Sequence, residues 1–576
     1  MSTARHDLVV RGALVVDGTG GPGIEADVAV DGDRIVVVGE VSSAGREEID
    51  GRGLVLAPGF IDPHTHLDAN LFWDPDVTPC SSYGVTTVVT GNCGYALAPI
   101  VDDAARDYVV DALCTVEQIP RAAIDESVGF RAGTHADYFA VLDRLPVLCN
   151  FATLVGHVPV RTAVLGPDDA HERVATVGEV SQMADLVADG LRLGALGFST
   201  DQVVGNYGPG GHPLPGQVCD DDELLAIARV LGEIPGPGLF TMAPRALLQG
   251  RAEREADLAW HVRLAEASHK AVVVGPVFDK WSDPGIGYDL IELAAARSRP
   301  DAPVVPQIST RVFELWTRLD MPGLLVRALP TLHDAVTANG ANGVRALAAD
   351  ESARVRLRRD AEHIAPSLVW SGRWEHVAVR WSPTRPDLYG RSVRDIAEEL
   401  RVHPADVLLD IAVADGFETQ YAPSMANDDD DRLARMIAHP AAMIGASDAG
   451  AHVLSNTDSC YAVWTLQHWV RERRVLTLEQ AIRKLTADQA DLLGLADRGR
   501  VLPGLAADLV LLDPDRVGTT GVRFVADQPA GGRRLLTDAV GIAASVVNGV
   551  VATRDGEPVG ARPGRFLRKR AGEPVP

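Results

Sequence analysis

Residues 53–93 read GLVLAPGFIDPHTHLDANLFWDPDVTPCSSYGVTTVVTGNC and contain two apolar, β-branched runs that end in chemically active side chains. The first run leads into His64 and His66. Alternate side chains of an extended strand share one face, so the two imidazoles point the same way and can hold one metal ion. The second run, residues 85–90, stops just before Cys93. We therefore expect the Cys93 thiol at the same centre.

A His-x-His pair alone also occurs in turns, so the pattern by itself leaves turn histidines as an alternative. An apolar strand before the pair, a second strand after it and Cys93 at the end of that strand favour ligands. Asp62 and Asp68 flank the pair. We predict that these carboxylates orient the rings from outside the ligand shell.

Size and charge restrict the class of protein. The chain has 576 residues, enough for more than one domain, and 46% of them are hydrophobic. Its formal net charge of -25 argues against a nucleic-acid partner, because phosphate binding needs a basic face. The basic stretch RFLRKR at 565–570 is short, and we interpret it as a solvated terminus.

Six cysteines in 576 residues are too sparse for a disulfide framework. The first thirty residues show no signal segment, and no apolar run reaches the ~18 residues that a membrane span requires. We expect a cytoplasmic protein with a small-molecule substrate and no membrane partner, and a homo-oligomer stays open.

Both ends of the chain carry short strands separated by Gly, Asp and Asn turns. Examples are LVVRGALVVDG and ADVAVDGDRIVVVG near the start, and ADLVLLDPDRV (507–517) and AASVVNGVVATRDGEPV (543–559) near the end. We therefore predict one small β-sandwich domain composed of residues 1–57 and 496–562, followed by a tail, 563–576.

The middle, residues 58–495, alternates near-continuous apolar strands with amphipathic helical runs such as EVSQMADLVADGLRL (179–193). Repeated strand–helix units of this kind indicate a parallel sheet, and we predict an α/β fold with a (β/α)₈ TIM-type barrel. Residues 311–440 are too long for a plain connection. We predict that they form an insertion between late strands that covers the site.

Asp448 ends the apolar strand AMIGAS, and His452 follows four residues later. A carboxylate at a strand terminus that faces His64 and His66 can ligate the metal and take a proton from an activated water. It can equally cap the following helix. Position alone leaves both interpretations open.

PGFIDPHTH after an N-terminal β-domain, GVTTVVTGNCG, SDAGAH and the closing PGLAADLVLLD together resemble the amidohydrolase superfamily, and most closely its N-acyl-D-amino-acid deacylase branch. The resemblance spans nearly the whole chain. It implies a zinc ion held by His64, His66 and Asp448, with Cys93 as a further ligand. LVGHVPVR (154–161) resembles the family's Val-Gly-His loop, which makes His157 a candidate for the pocket wall; a buried structural histidine is the alternative.

The chain departs from that family at two strands. The deacylases carry further zinc-binding histidines at the ends of strands five and six, where this chain reads GLFTMAPR (238–245) and KAVVVGPVFDK (270–280). His212, His261 and His269 are near in sequence but do not end a strand. We therefore expect one metal ion rather than two.

An N-acyl amino acid carries a carboxylate, so a negatively charged protein needs a local cation at the pocket. The substrate-binding candidates are therefore His452 and four basic residues that end or follow strands: Arg161, Arg245, Lys280 and Arg311.

The leading hypothesis is a zinc-dependent hydrolase of a linear amide, with an N-acyl (D-)amino acid as substrate and Asp448 as the acid–base group. A cyclic amidase or a deaminase is the first alternative, although the strand ALGFST lacks the lysine that cyclic-amide relatives use to bridge two metals. A barrel that has lost catalysis and serves as a binding protein is the second.

Overall fold

The computed structural model describes residues 5–131, 133–364, 370 and 372–569. It is a mixed α/β structure in which eight parallel segments follow one another in chain order. These eight core strands are Phe60–Asp62, Val85–Thr90, Asn150–Thr153 continuing into Val155–Gly156, Gly197–Asp201, Leu239–Ala243, Ala271–Val274, Val304–Ile308 and Met443–Ile444.

Each core strand pairs in parallel with the next, the third through its two consecutive pieces. Just beyond the first and eighth strands, Thr65 and Ala449 form an isolated parallel bridge. The amide of His66 also donates a hydrogen bond to the carbonyl oxygen of Ala449, at 2.7 Å. The residues that follow the first and last core strands are therefore backbone neighbours.

Helices fill the connections between the core strands, and their buried faces join the strands in the largest hydrophobic cluster. They are Asp103–Val116, Arg121–Ser127, His135–Leu142, His157–Leu165, Asp169–Glu172, Val177–Arg192, Pro215–Val218, Asp221–Glu233, Arg251–Ser268 and Ile286–Arg297. After the last core strand come Tyr461–Trp464, a π-helical segment Thr465–Glu472, Leu478–Leu485 and Ala487–Leu493.

The long connection between the seventh and eighth core strands has its own hydrophobic cluster, which runs from Leu319 to Tyr421. Its three-stranded sheet consists of Phe313–Glu314, Val377–Trp381 and Gln420–Ala426. Its helices are Leu324–Arg327, Pro330–Ala349, Glu351–Glu362, Val393–Leu400, Pro404–Ala414 and Asp430–Ala438. Residues 365–369 and 371 of the predicted insertion lie outside the described residues.

Strands from both ends of the chain form one nine-stranded sheet. The N-terminal strands are His6–Val15, Ile24–Asp31, Arg34–Gly39, Gly45–Asp50 and Val55–Pro58, and the C-terminal strands are Leu509–Leu512, Ile542–Val547, Val550–Arg554 and Glu557–Pro558. The junction is the antiparallel pair of Val55–Pro58 with Leu509–Leu512. A hairpin of Gly518–Gln528 and Gly532–Val540 pairs only with itself among the described strands.

The C-terminal stretch 565–569 is not a solvated terminus, which corrects the sequence interpretation. The carbonyl oxygen of Arg565 accepts from the amide of Phe151 at 3.0 Å, and the amide of Leu567 donates to the carbonyl oxygen of Phe151 at 2.7 Å. Phe566 stacks on Phe151, and Leu567 is buried. The adjacent apolar residues Phe566 and Leu567 pack this stretch beside the third core strand. Residue 570 lies outside the described residues.

Among the described residues, no helix combines the length and the apolar character needed to cross a membrane.

Candidate metal centre

Four side chains that the sequence singled out converge beyond the carboxyl ends of the core strands. Nε2 of His64 lies 3.3 Å from Sγ of Cys93 and 3.3 Å from Oδ1 of Asp448. Nε2 of His66 lies 3.9 Å from the same Asp448 oxygen. One potential ligand atom from each of His64, His66 and Cys93 lies within 4.8 Å of the other two.

These separations fit the edges of a ligand tetrahedron. Zinc–nitrogen bonds of about 2.0–2.1 Å and zinc–sulfur bonds of about 2.3 Å place tetrahedral ligands about 3.3–3.6 Å from one another. The two 3.3 Å separations at His64 match that spacing. The separation of His66 from Asp448 is wider, at 3.9 Å, and the group of ligand atoms within 4.8 Å of one another comprises His64, His66 and Cys93 without Asp448. Two imidazoles, one thiol and one carboxylate are also a donor set that zinc accepts.

The opposite ring nitrogens of the two histidines face different partners. Nδ1 of His64 lies 2.8 Å from Oε1 of Gln307, at the end of the seventh core strand. Nδ1 of His66 lies 3.5 Å from Oε1 of Glu117, which follows the helix Asp103–Val116. A neutral imidazole that carries its proton on Nδ1 presents the lone pair of Nε2 to a metal. Both rings are therefore turned with Nε2 toward Cys93 and Asp448.

Asp62 and Asp68, predicted to orient the rings, have other partners. Asp62 accepts from the hydroxyl of Ser447 at 2.7 Å and from the amide of His64 at 3.3 Å. Asp68 accepts from the amide of Gly91 at 3.0 Å. Within the described residues neither carboxylate bonds to an imidazole nitrogen, and each accepts from a backbone amide instead.

Left-handed backbone conformations aim Cys93 and Asp448 into the site. Cys93 has a φ of 52° and Asp448 a φ of 49°, values that cost strain for residues other than glycine. Gly450 has a φ of 91°, and a Cβ atom there would lie 2.7 Å from the carbonyl oxygen of His66. Only glycine therefore lets the loop after Asp448 approach the His64–His66 segment this closely.

The described side chains around the site are rich in acidic groups. Burial, reinforced by Asp448, Asp201 and Asp68, raises the pKa of the Glu117 carboxyl well above its usual range. Burial and neighbouring carboxylates likewise raise the pKa of the Cys93 thiol, and burial raises the pKa of Asp201 to about 6. Burial lowers the pKa of His66. A cation bound here would offset the clustered negative charge.

The four side chains open onto a cleft of about 580 Å³. Glu117, Asp201, Lys280 and His452 also line it. Much of the remaining wall is apolar and comes partly from the long connection: Leu247, Leu248, Pro276, Phe278, Phe313, Leu315, Trp316 and Met425. Residues of the long connection thus form part of the wall of the cleft.

Lys280 and His452 are the substrate-binding candidates that the structure brings to the cleft. Nζ of Lys280 donates to the carbonyl oxygen of Leu247 at 2.9 Å, and burial lowers the pKa of Lys280 to about 7. Nε2 of His452 lies 4.0 Å from Oε2 of Glu117.

The other candidates do not line the cleft among the described residues, and we withdraw them as substrate contacts. His157 and Arg161 are buried with Glu223: Nε2 of His157 lies 2.7 Å from Oε1 of Glu223, and Arg161 forms an ion pair with Glu223. His157, Cys219 and Glu223 lie close enough to hold an ion. The guanidinium of Arg161 already neutralises Glu223, so we interpret this group as a structural ion network.

Two further basic candidates are also engaged elsewhere. Arg245 stacks on Trp260 at 4.7 Å and pairs with Asp221 at 2.6 Å. The guanidinium of Arg311 lies 4.8 Å from the ring centroid of Trp464 and donates to the carbonyl oxygen of Thr457 at 2.9 Å.

The ends of the fifth and sixth core strands offer no ligand atom to the cleft. Ala243 and Pro276 line it at those two places. The histidines of the deacylase pattern therefore have no counterpart there, as the sequence indicates. His261 lies inside the helix Arg251–Ser268, and His269 caps that helix.

Sequence reasoning missed Glu117, Gln307 and Asp201. Asp201 and Gln307 lie at or next to the carboxyl ends of core strands, so the rule applied to His64 and Asp448 could have found them. Glu117 ends a helix. Nothing in its local sequence indicates that it reaches the site.

Comparison with known proteins gives the same family along nearly the whole chain. A family model described as "Amidohydrolase family" matches residues 47–552. The N-acyl-D-aspartate deacylase of Alcaligenes xylosoxydans xylosoxydans is 30% identical over 98% of this chain and 95% of that protein.

Solved structures agree. The N-acyl-D-glutamate deacylase of Bordetella bronchiseptica, complexed with zinc and a phosphonate mimic of the tetrahedral intermediate, has a TM-score of 0.67 and 26% identity, covering 98% of this chain and 100% of that one. A D-aminoacylase structure, described by one-metal activation and second-metal attenuation of a binuclear centre, has a TM-score of 0.67, 28% identity and the same coverage. The resemblance to the N-acyl-D-amino-acid deacylase branch is thereby confirmed, and the chain belongs to the amidohydrolase family.

Proposed function

We propose that this protein is a zinc-dependent hydrolase that cleaves the linear amide bond of an N-acyl D-amino acid. The observation that carries the proposal is the convergence of potential ligand atoms from His64, His66 and Cys93, with Asp448 3.3 Å from the ring of His64. The relatives support it, because proteins named as N-acyl-D-aspartate deacylase, D-aminoacylase and N-acyl-D-glutamate deacylase match over nearly the whole chain.

We also propose the finer architecture. The eight parallel core strands close as a barrel, supported by the bridge between Thr65 and Ala449. The sheet shared by both chain ends belongs to a β-sandwich domain of residues 1–57 and 496–562, and residues 311–440 form an insertion, supported by their own hydrophobic cluster.

The six free cysteines support the predicted cytoplasmic location. The homo-oligomer stays a prediction.

One zinc ion suits the residues present. His64, His66, Cys93 and Asp448 would hold it, and it would supply Lewis acidity that lowers the pKa of a water molecule and polarises the amide carbonyl. The Bordetella relative is described with zinc, and the D-aminoacylase by activation with one metal. Ala243 and Pro276, at the ends of the fifth and sixth core strands, provide nothing for a second ion.

Asp448 is the proposed acid–base group. Its Oδ1 lies 3.3 Å from Nε2 of His64 and 3.9 Å from Nε2 of His66, and its side chain stays 20% exposed toward the cleft. Oδ1 can therefore take a proton from the attacking water and deliver it to the leaving nitrogen. The left-handed φ of 49° holds this carboxylate in place.

Substrate binding divides between cationic side chains and an apolar wall. Lys280 and Arg327 line the cleft, and Lys280 would pair with the α-carboxylate of the substrate. The side chain or acyl group would contact apolar residues such as Phe278, Leu315 and Trp316.

A combined experiment tests this function. Elemental analysis of the purified protein should give one zinc per chain, and a ninhydrin panel of N-acetyl amino acids should show turnover of D-enantiomers. Hydrolysis of hydantoins or lactams instead would favour the cyclic-amidase alternative. A chain that contains no metal and does not bind added zinc would favour the binding protein.

A further inference from the structure

Glu117 is a buried carboxylate that joins two parts of the candidate metal centre. It directly follows the helix Asp103–Val116 and is 3% exposed. Its Oε1 lies 3.5 Å from Nδ1 of His66 and its Oε2 lies 4.0 Å from Nε2 of His452. Within the described parts of the chain, no lysine or arginine forms an ion pair with it. A buried carboxylate with only imidazole partners needs an explanation beyond packing.

The ring of His66 supplies one. Nδ1 of His66 is buried and has no hydrogen-bond partner within the described residues. Nε2 faces Asp448 and can ligate only when the ring proton is on Nδ1. Oε1 of Glu117, at 3.5 Å, is the acidic oxygen beside this nitrogen, so a small closure of that distance would form the hydrogen bond that selects this tautomer. Gln307 occupies the corresponding position beside Nδ1 of His64, but its side chain is a neutral amide.

The backbone of Glu117 adds a second link. The amide of His452 donates to the carbonyl oxygen of Glu117 at 2.6 Å. His452 belongs to the loop that begins at Asp448, and both residues have left-handed φ values. One residue thus contacts the His66 ring and anchors the loop that carries the carboxylate ligand.

The contacts of Glu117 matter because the fifth and sixth core strands provide no ligand atom at their ends. Ala243 and Pro276 stand where the deacylase pattern has histidines, so the remaining donors must hold the ion without them. A carboxylate that accepts the outer N–H of a ligating imidazole orients the ring and increases its basicity. We infer that Glu117 is a positioning residue that strengthens His66 as a ligand and thereby sustains a metal centre built from fewer donors.

The inference rests on the proposed function only in requiring that these donors bind a metal. It is tested by zinc titration of the metal-depleted protein against a fluorescent chelator, without substrate. We expect Glu117→Leu to weaken zinc affinity by up to about 100-fold and Glu117→Gln, which keeps an acceptor oxygen but no charge, by about 10-fold. Glu126→Gln, at an exposed position of the next helix, should bind zinc as the wild type does.

Thermal unfolding of the metal-free variants separates positioning from folding. Since Glu117→Leu can itself disturb folding, Glu117→Gln with an unchanged unfolding temperature and reduced zinc affinity is the decisive supporting result. Cobalt substitution gives a second readout, because a displaced His66 changes the visible absorption of the Co²⁺ centre.

Failure of the inference and failure of the proposed function give different results. Unchanged zinc affinity and an unchanged cobalt spectrum in both Glu117 variants would overturn the inference and leave the hydrolase assignment intact. A wild-type protein that binds zinc but hydrolyses no N-acyl amino acid, with affinity lost in the Glu117 variants, would support the inference and overturn the function. A wild type that binds no zinc would overturn both.

Discussion

Nε2 of His64 and Oδ1 of Asp448 lie 3.3 Å apart, although one follows the first core strand and the other the last. A separation beyond about 10 Å would have excluded a shared ion, because zinc bonds are only about 2 Å long. The parallel bridge between Thr65 and Ala449 brings the two strand ends together. The carboxylate therefore lies where it can both ligate an ion and reach a proton on the reacting water.

The first prediction separates those two roles of Asp448. Asp448→Asn keeps an oxygen donor but removes the basic carboxylate, so we expect zinc content near that of the wild type and kcat lower by about 10²- to 10⁴-fold. Elemental analysis and steady-state kinetics on an N-acetyl D-amino acid measure both. Asp103→Asn, at an exposed position of the first long helix, is the control. Near-normal turnover in the Asp448 variant would remove its acid–base role.

The second prediction concerns Gln307, whose Oε1 accepts from Nδ1 of His64 at 2.8 Å and whose Nε2 donates to the carbonyl oxygen of Gly445 at 3.3 Å. Gln307→Leu keeps the volume but leaves the ring unoriented, so zinc affinity should fall about 10- to 100-fold. Nδ1 of His64 and the carbonyl oxygen of Gly445 would lose their hydrogen-bond partner, which should also lower the free energy of unfolding by about 1–3 kcal/mol. Zinc titration and urea denaturation measure the two effects, with Gln249→Leu as control. Unchanged zinc affinity would show that Gln307 does not orient His64.

The sequence was sufficient for the parts of the site that follow strands. Apolar runs with period-two or continuous burial indicate strands locally, and His64, His66 and Asp448 directly follow such runs. The helical insertion and the shared terminal sheet were also visible, because their turn residues and hydrophobic periods are local signals.

Contacts that depend on where a side chain points were not predictable. Arg161 follows a strand as Lys280 does, yet Arg161 is buried against Glu223 while Lys280 reaches the cleft. Glu117 joins the site only because the end of its helix, with Thr115 and Val116, lines the cleft. Spacing along the chain contains no information on such packing, which long-range contacts determine.

The third prediction tests the assignment of Arg161 to a structural network. His157 and Arg161 hold the pKa of Glu223 below its usual value, although burial alone would raise it. Arg161→Met leaves this buried carboxylate poorly compensated, so the free energy of unfolding should fall by about 3–5 kcal/mol. Zinc affinity should stay unchanged, because the network lies outside the cleft. Denaturant unfolding and zinc titration provide the test, and Arg229→Met, at an exposed helix position, is the control.

A different result would reassign the group. A fall in zinc content of Arg161→Met without loss of stability would show that His157, Cys219 and Glu223 contribute to metal binding after all.

The fourth prediction is a pH dependence that arises at Lys280. Burial, with a smaller contribution from the nearby Arg254, lowers the pKa of Lys280 to about 7. The ammonium form that pairs with the substrate carboxylate is therefore present below pH 7 and is lost as the pH rises. Since kcat/KM reports ionisations of the free enzyme, it should decline above pH 7 by up to tenfold per pH unit. Lys280→Arg stays charged and should lose this limb, whereas Lys280→Met should show a raised KM below pH 7 that approaches the wild-type value well above pH 7. The control is Lys270→Arg, because Nζ of Lys270 donates only to backbone carbonyls outside the cleft; this variant should keep the wild-type profile.

A declining limb that persists unchanged in Lys280→Arg would assign the ionisation to another group and would leave the substrate carboxylate without its proposed partner.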